Sequence, residues 1–134
     1  MKKRDLILVR GISGSGKTTL AEALADHSNG TVNSADNYFY NAKGEYNWKA
    51  NLLPMVHEKC LKQTAIDMSK GISPIFVANT FAPERELKPY IEEAAKYNYR
   101  VFTIIVENRH GSENVHDVPE SSLEKQKRRF NIKL

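Results

Sequence analysis

The 134-residue chain predicts an α/β fold, a short parallel sheet with helices on both faces. Three observations carry that expectation. The runs "LILV", "PIFVA" and "RVFTIIVE" have the short, apolar character of strands buried in a parallel sheet. Longer segments of helical character separate them. A glycine-rich stretch, "RGISGSGKTTLA", stands where the first strand gives way to the first helix. The length suits one domain over residues 1–134, with a real core and no room for a second substrate domain.

In chain order, Leu6 to Val9 is the first strand, and "KTTLAEALADHS" reads as a helix with Leu20 and Leu24 on one face. Asn29-Gly30 stops it, and "TVNSA" is a second strand. Residues 37–51 are aromatic and polar without a clean period, the pattern of an irregular excursion over one face. From Leu52 to Lys70 an apolar stripe of Leu53, Val56, Cys60 and Met68 predicts a helix, with Gly71 as its stop. "PIFVA" (74–78) is the third strand. Pro83 suits a first helical turn, whereas Pro89 within "ERELKPYIEEAAKYN" implies a kink. "RVFTIIVE" (100–107) is the last strand, followed by a polar loop and a charged helix, "ESSLEKQKRRF".

Hydrophobic residues make up 40% and charged residues 27% of the chain, ordinary for a globular protein and unlike a disordered one. The formal charge is +4, with the excess concentrated in "KKRD" and "EKQKRRFNIKL". That excess suits a phosphate-rich partner and equally suits solubility. A single cysteine, Cys60, excludes an intrachain disulfide and a zinc site of clustered cysteines. The first apolar run is too short for a signal peptide or a membrane span, so a cytoplasmic protein with no membrane partner is expected.

Gly11, Gly16, Lys17 and Thr18 satisfy G-x-x-x-x-G-K-[ST], the P-loop pattern, with a strand before it and a helix after it. The spacing has a physical reason. Backbone N–H groups of residues 13 to 18 can wrap a phosphate only where side chains do not obstruct, hence Gly14 and Gly16, and the helix N-terminus adds partial positive charge. Lys17 then reaches the β- and γ-phosphates and the Thr18 hydroxyl ligates Mg²⁺. The expected nucleoside triphosphate site is Gly11, Ser13, Gly14, Ser15, Gly16, Lys17, Thr18 and Thr19, with ATP and Mg²⁺ as cofactors. A GTPase needs N-K-x-D and D-x-x-G, and neither is present. A small-acceptor or polynucleotide kinase fits the length best.

Phosphoryl transfer to an alcohol benefits from a carboxylate that takes the hydroxyl proton. In a doubly wound sheet it belongs just past the C-terminal end of a strand, beside the P-loop. Asp36 in "NSADNYF" has that position, and position alone equally allows a helix N-cap.

Together "RGISGSGKTTLA", "SADNYF", "GEYNW", "HEKC", "NTFAPERELKPY" and "ENVHDVP…KRRF" resemble the phage-type 5′-polynucleotide kinase family, in order over almost the whole chain. The same segments are similar to related P-loop domains fused to larger eukaryotic proteins, in the AAA-like and zeta-toxin-like group. The resemblance implies a three-layer P-loop NTPase fold of the kinase type, with Asp36 as general base and lid arginines over the transferred phosphate. Arg109 is the best positional match for such an arginine, with Arg128 and Arg129 as candidates on the following helix. Tyr38, His57, Asn79, Thr80 and Arg85 are further candidate contacts to substrate or phosphate.

The chain departs from that family in four places. The third strand ends Ala78-Asn79-Thr80-Phe81 where the family has D-N-T-N or S-D-T-N, which removes a carboxylate near Mg²⁺ and an asparagine. Asn37 replaces the aspartate beside the base, and Glu113 stands where a lid arginine is common. Asn79 and Thr80 can still hydrogen-bond a hydrated metal or a phosphate, without supplying charge.

His57 and Cys60 lie one helical turn apart, with no second pair to complete a metal site. His57 is expected to face the site or pack in the core, His116 to order the lid loop, and His27 and His110 to lie on the surface. Trp48 with Tyr38, Phe39, Tyr40 and Tyr46 forms an aromatic cluster beside Asp36, for packing or for stacking on an acceptor base. The leading expectation is an ATP-dependent kinase of 5′-hydroxyl nucleic acid ends. A nucleoside or small-metabolite kinase and a non-catalytic NTP-binding module are the alternatives.

Overall fold

A computed structural model describes residues 3–109 and 118–134. Four parallel strands form one sheet in the order β2-β3-β1-β4, with β1 Arg4–Arg10, β2 Thr31–Asn33, β3 Ile75–Asn79 and β4 Tyr99–Ile105. The helices are α1 Lys17–Ser28, α2 Leu53–Ser69, α3 Lys88–Lys96 and α4 Glu120–Arg129. Short 3₁₀ turns cover Ala35–Phe39, Ala50–Leu52 and Glu84–Glu86.

β1 outruns its apolar core because both neighbours keep pairing with it: Arg4 lies opposite Tyr99, and Arg10 opposite both Asn79 and Ile105. Successive β1 side chains feed opposite faces, as the strand period requires. Leu6 and Leu8 join Val56 and Cys60 of α2 and Tyr90 of α3 in the larger core. Val9 joins Ala21 and Ala25 of α1 with Phe76 and Ala78 of β3 in the smaller one. The result is the three-layer arrangement.

Three local expectations change. The buried face of α1 is Lys17, Ala21 and Ala25, with Leu20 exposed. Small residues let this helix sit close to the sheet, and a leucine row would hold it off. β2 stops at Asn33 because Ser34 turns the chain, its side chain accepting from the Asp36 amide. Pro83 is extended, and Pro89 lies in the first turn of α3, where its missing N–H leaves no helical bond unmade. A helix that starts there needs no kink.

All four strands end at one edge, and the loops leaving them share that edge. Arg10 ends β1 there and is 2% exposed. Its Nε donates to the Phe81 carbonyl at 3.0 Å, and its Nη2 to the carbonyls of Ala82 at 3.2 Å and Asn131 at 2.7 Å. Nη1 meets the Glu84 carboxylate at 3.3 Å, and the guanidinium lies over the Phe130 ring at 4.9 Å. The Asn131 amide in turn donates to the Ala82 carbonyl at 2.8 Å. A buried charge is tolerated when its donors are met in this way. Among the described residues no helix is long and apolar enough to cross a membrane.

Candidate active site

The loop between β1 and α1 carries two left-handed glycines, Gly14 at φ 82° and Gly16 at φ 92°. A side chain at either would be strained, so the sequence places glycine where the backbone must curl. Gly11 is buried, and its amide donates to the Thr80 carbonyl at 3.2 Å, tying the loop to the end of β3. Gly16 begins α1 without any side-chain cap, and the first helical turn holds no acidic residue. Those first-turn amides have no partner within their helix, and the helix dipole makes their end positive. The whole loop is shaped for an anion.

Lys17 is 5% exposed, its ammonium donating to the Ile12 carbonyl at 3.4 Å. Desolvation pulls its pKa below the ordinary 10.5, and the Asp36 charge pulls it partly back. A buried cation so thinly partnered gains most from an incoming phosphate. Thr18 is half-buried in the first turn of α1 and Thr19 is exposed.

Asp36 sits in the 3₁₀ turn after β2. Ser34 occupies the cap position there, which leaves the Asp36 carboxylate to the cleft, with the Tyr46 hydroxyl donating to it at 3.4 Å. Asn79 holds this turn in place. Its Oδ1 accepts from the Ala35 amide at 2.8 Å, and its Nδ2 reaches Cys60 Sγ and the Tyr90 hydroxyl, each at 3.5 Å. The Asn79 amide is therefore engaged in building the site, and the residue also lines the cleft. Phe81 takes φ 47° and packs edge-on against Tyr90 with centroids 5.3 Å apart. Asparagine tolerates that backbone better than phenylalanine, so here ring burial replaces backbone ease.

These groups converge on a cleft of about 220 Å³. Lys17, Asp36, Phe39, Trp48, His57, Asn79 and Thr80 all line it. Burial lowers the His57 pKa, with Glu86 and Asp36 opposing, so the imidazole is neutral at pH 7. Phe39 and Trp48 pack on each other at 6.3 Å.

The far side of the cleft is α4. Ser122, Lys125, Gln126 and Arg129 line it, one face of a helix at spacings of three and four. Gln126 grips the loop: its Oε1 accepts from the Ser13 amide at 2.8 Å, and its Nε2 donates to Ser13 Oγ at 3.0 Å. Lys125 and Gln126 were not singled out in the sequence, although the helical spacing held the signal.

Several candidates stand elsewhere. Arg109 is exposed and pairs with Glu107 at 2.7 Å, away from the cleft lining, because the chain turns outward after β4. Arg85 and Arg128 are exposed and outside the lining; Tyr38 is also outside it, half-buried against the larger core, with Lys59 Nζ 5.9 Å from its ring centroid. Among the described residues no three His, Cys, Asp or Glu side chains group as metal ligands. His110, Glu113 and His116 lie outside the described residues.

A family model described as an AAA domain matches residues 6–132. The chain belongs to this family. This AAA domain is 38% identical over 97 residues to NEDD4-binding protein 2 of Homo sapiens, a match covering 72% of the chain and 5% of that relative. The chain therefore spans a small fraction of the length of that relative. Among solved structures the AAA domain resembles a sugar kinase from Janibacter sp. HTCC2649, with TM-score 0.64 and 18% identity over 98% of this chain and 80% of the other. It also resembles a chain of the Pnkp1/Rnl/Hen1 RNA repair complex, with TM-score 0.59 and 18% identity over 94% and 37%. The fold is that of the P-loop kinases.

Proposed function

We propose that this domain is an ATP-dependent phosphotransferase that acts on the 5′-hydroxyl of a nucleic acid end, in the manner of the phage-type polynucleotide kinases. The observation that carries the reading is the convergence of Lys17, Asp36, Lys125 and Arg129 on the lining of one cleft. Asp36 is the sole carboxylate among the described residues lining that cleft. It accepts the proton of the acceptor hydroxyl as that oxygen bonds to the γ-phosphorus. The bond to the bridging oxygen breaks and ADP leaves with its electron pair. Lys17, Lys125 and Arg129 offset the charge on the phosphate oxygens, as preorganised cations do in such a transfer. Trp48 and Phe39 offer an aromatic wall where the acceptor's base or sugar packs.

The donor set fits a sparsely held Mg²⁺. Position 78 is a fully buried alanine and Asn79 is engaged with Ala35, so Thr18 is the residue that would supply a protein hydroxyl to the ion. When bound, the ion neutralises charge shared by the β- and γ-phosphates.

The resemblance in "SADNYF" and "ENVHDVP" supports a polynucleotide acceptor, and so does the neighbour from an RNA repair complex. The test is γ-labelled ATP with 5′-hydroxyl oligonucleotides, nucleosides and sugars side by side. Labelled oligonucleotide ends that disappear steeply with salt are expected. Asp36→Asn should lower transfer at least about a hundredfold while nucleotide still binds. A labelled nucleoside or sugar instead identifies a small-metabolite kinase, the second reading that the sugar kinase neighbour suggests. Tight ATP binding with no labelled acceptor identifies a nucleotide-binding module, which the missing acids at Ala78 and Asn37 favour.

A further inference from the structure

Helix α4 contributes cations to the cleft, yet it has no buried residue of its own. Apolar packing along its length therefore does little to hold it down. Among the described residues two polar attachments do, beside the burial of Val118 just ahead of the helix. At its C-terminal end, Arg10 stacks on Phe130 and binds the Asn131 carbonyl, which fixes one end as a pivot. One turn earlier Gln126 makes its paired contact to Ser13, across 113 positions of sequence. The exposed Arg129–Glu86 pair at 3.4 Å adds little.

We propose that Gln126 is a positioning residue that clips α4 to the phosphate loop and so holds Lys125 and Arg129 over the cleft before nucleotide arrives. The inference rests on the reading of the cleft as a phosphotransferase site. A primary amide suits the task because it donates and accepts at once, matching the N–H and the hydroxyl of a single serine. Lys125 precedes Gln126 and Arg129 follows it by three, so both take their direction from the clip. The Ser13 amide is thereby occupied, as is the Ser15 amide, which donates to the Ile12 carbonyl at 3.1 Å.

The experiment compares backbone hydrogen exchange in the nucleotide-free full chain of wild type, Gln126→Leu, Ser13→Ala and the double variant. Gln126→Leu should speed exchange across residues 120–129 about tenfold, the worth of two modest hydrogen bonds, and leave α1 and β1 unchanged. Ser13→Ala, which loses one contact of the two, should do less, and the double variant no more than Gln126→Leu. Gln126→Leu should also lower kcat more than it raises the KM for ATP, with an unchanged melting temperature. Unchanged exchange in α4 overturns the clip, whatever the wild type transfers. If Gln126→Leu does not fold, unchanged α4 exchange in Ser13→Ala overturns it from the other side of the contact. A wild type that binds no ATP analogue sinks the phosphotransferase reading instead, and leaves the exchange comparison readable.

Discussion

The Asn79 side chain supports Asp36 through the backbone of its neighbour, a role its position in the sequence did not announce. Asn79→Ala leaves the buried Ala35 amide unpaired, which should cost about 1–3 kcal/mol in urea unfolding. Transfer should fall further than nucleotide affinity, because the displaced group is the base and the phosphate loop is intact. Lys17 sets a pH dependence. In the free protein its pKa lies below 10.5, and bound phosphate raises it, so binding takes up protons at pH values between the two. ATP affinity should therefore fall as pH rises through the free protein's value. Calorimetric titration in two buffers of different ionisation enthalpy measures the uptake; its absence at every pH would remove Lys17 from phosphate contact. Much at this scale was legible. Lys17 follows from its motif, and Asp36 from its place after β2. The cap position belongs to Ser34, which leaves the Asp36 carboxylate on the cleft lining. Arg109 lies outside the described lining of the cleft, because nearness in sequence to β4 says nothing of where a loop side chain points. Its side chain finds Glu107 in solvent.

Among elements, those with chemical punctuation were the readable ones. The β1–loop–α1 unit is fixed by glycines at Gly14 and Gly16 and by an apolar strand before them, and its bounds follow closely. α4 was readable as a charged helix and is one, Glu120–Arg129, but which of its faces meets the cleft was not marked by an apolar stripe. In α1 Leu24 packs in part while Leu20 is exposed, and the alanines Ala21 and Ala25 form the buried face. The turn from α1 into β2 is similarly a matter of space. A methyl built on Gly30 would lie 2.7 Å from the Pro74 carbonyl oxygen and 2.9 Å from Pro74 Cγ. Gly30→Ala should destabilise the fold by about 1–3 kcal/mol in thermal or urea unfolding. Nucleotide affinity in the folded fraction should not move, since the turn lies at the opposite end of α1 from the phosphate loop.

For the whole molecule, topology does the gathering. With β1 beside both β3 and β4 and every strand parallel, the residues that leave the sheet at one edge come from distant parts of the chain. Asp36 follows β2, Asn79 ends β3, the phosphate loop follows β1, and α4 returns across them. That plan was readable from alternating elements, whereas the return of α4 rests on Arg10, which composition counts as one more cation. Arg10 immediately precedes Gly11 and grips Asn131, so the last residues are wired directly to the first glycine of the phosphate loop. Tension applied to the segment after Asn131 would be felt at Gly11.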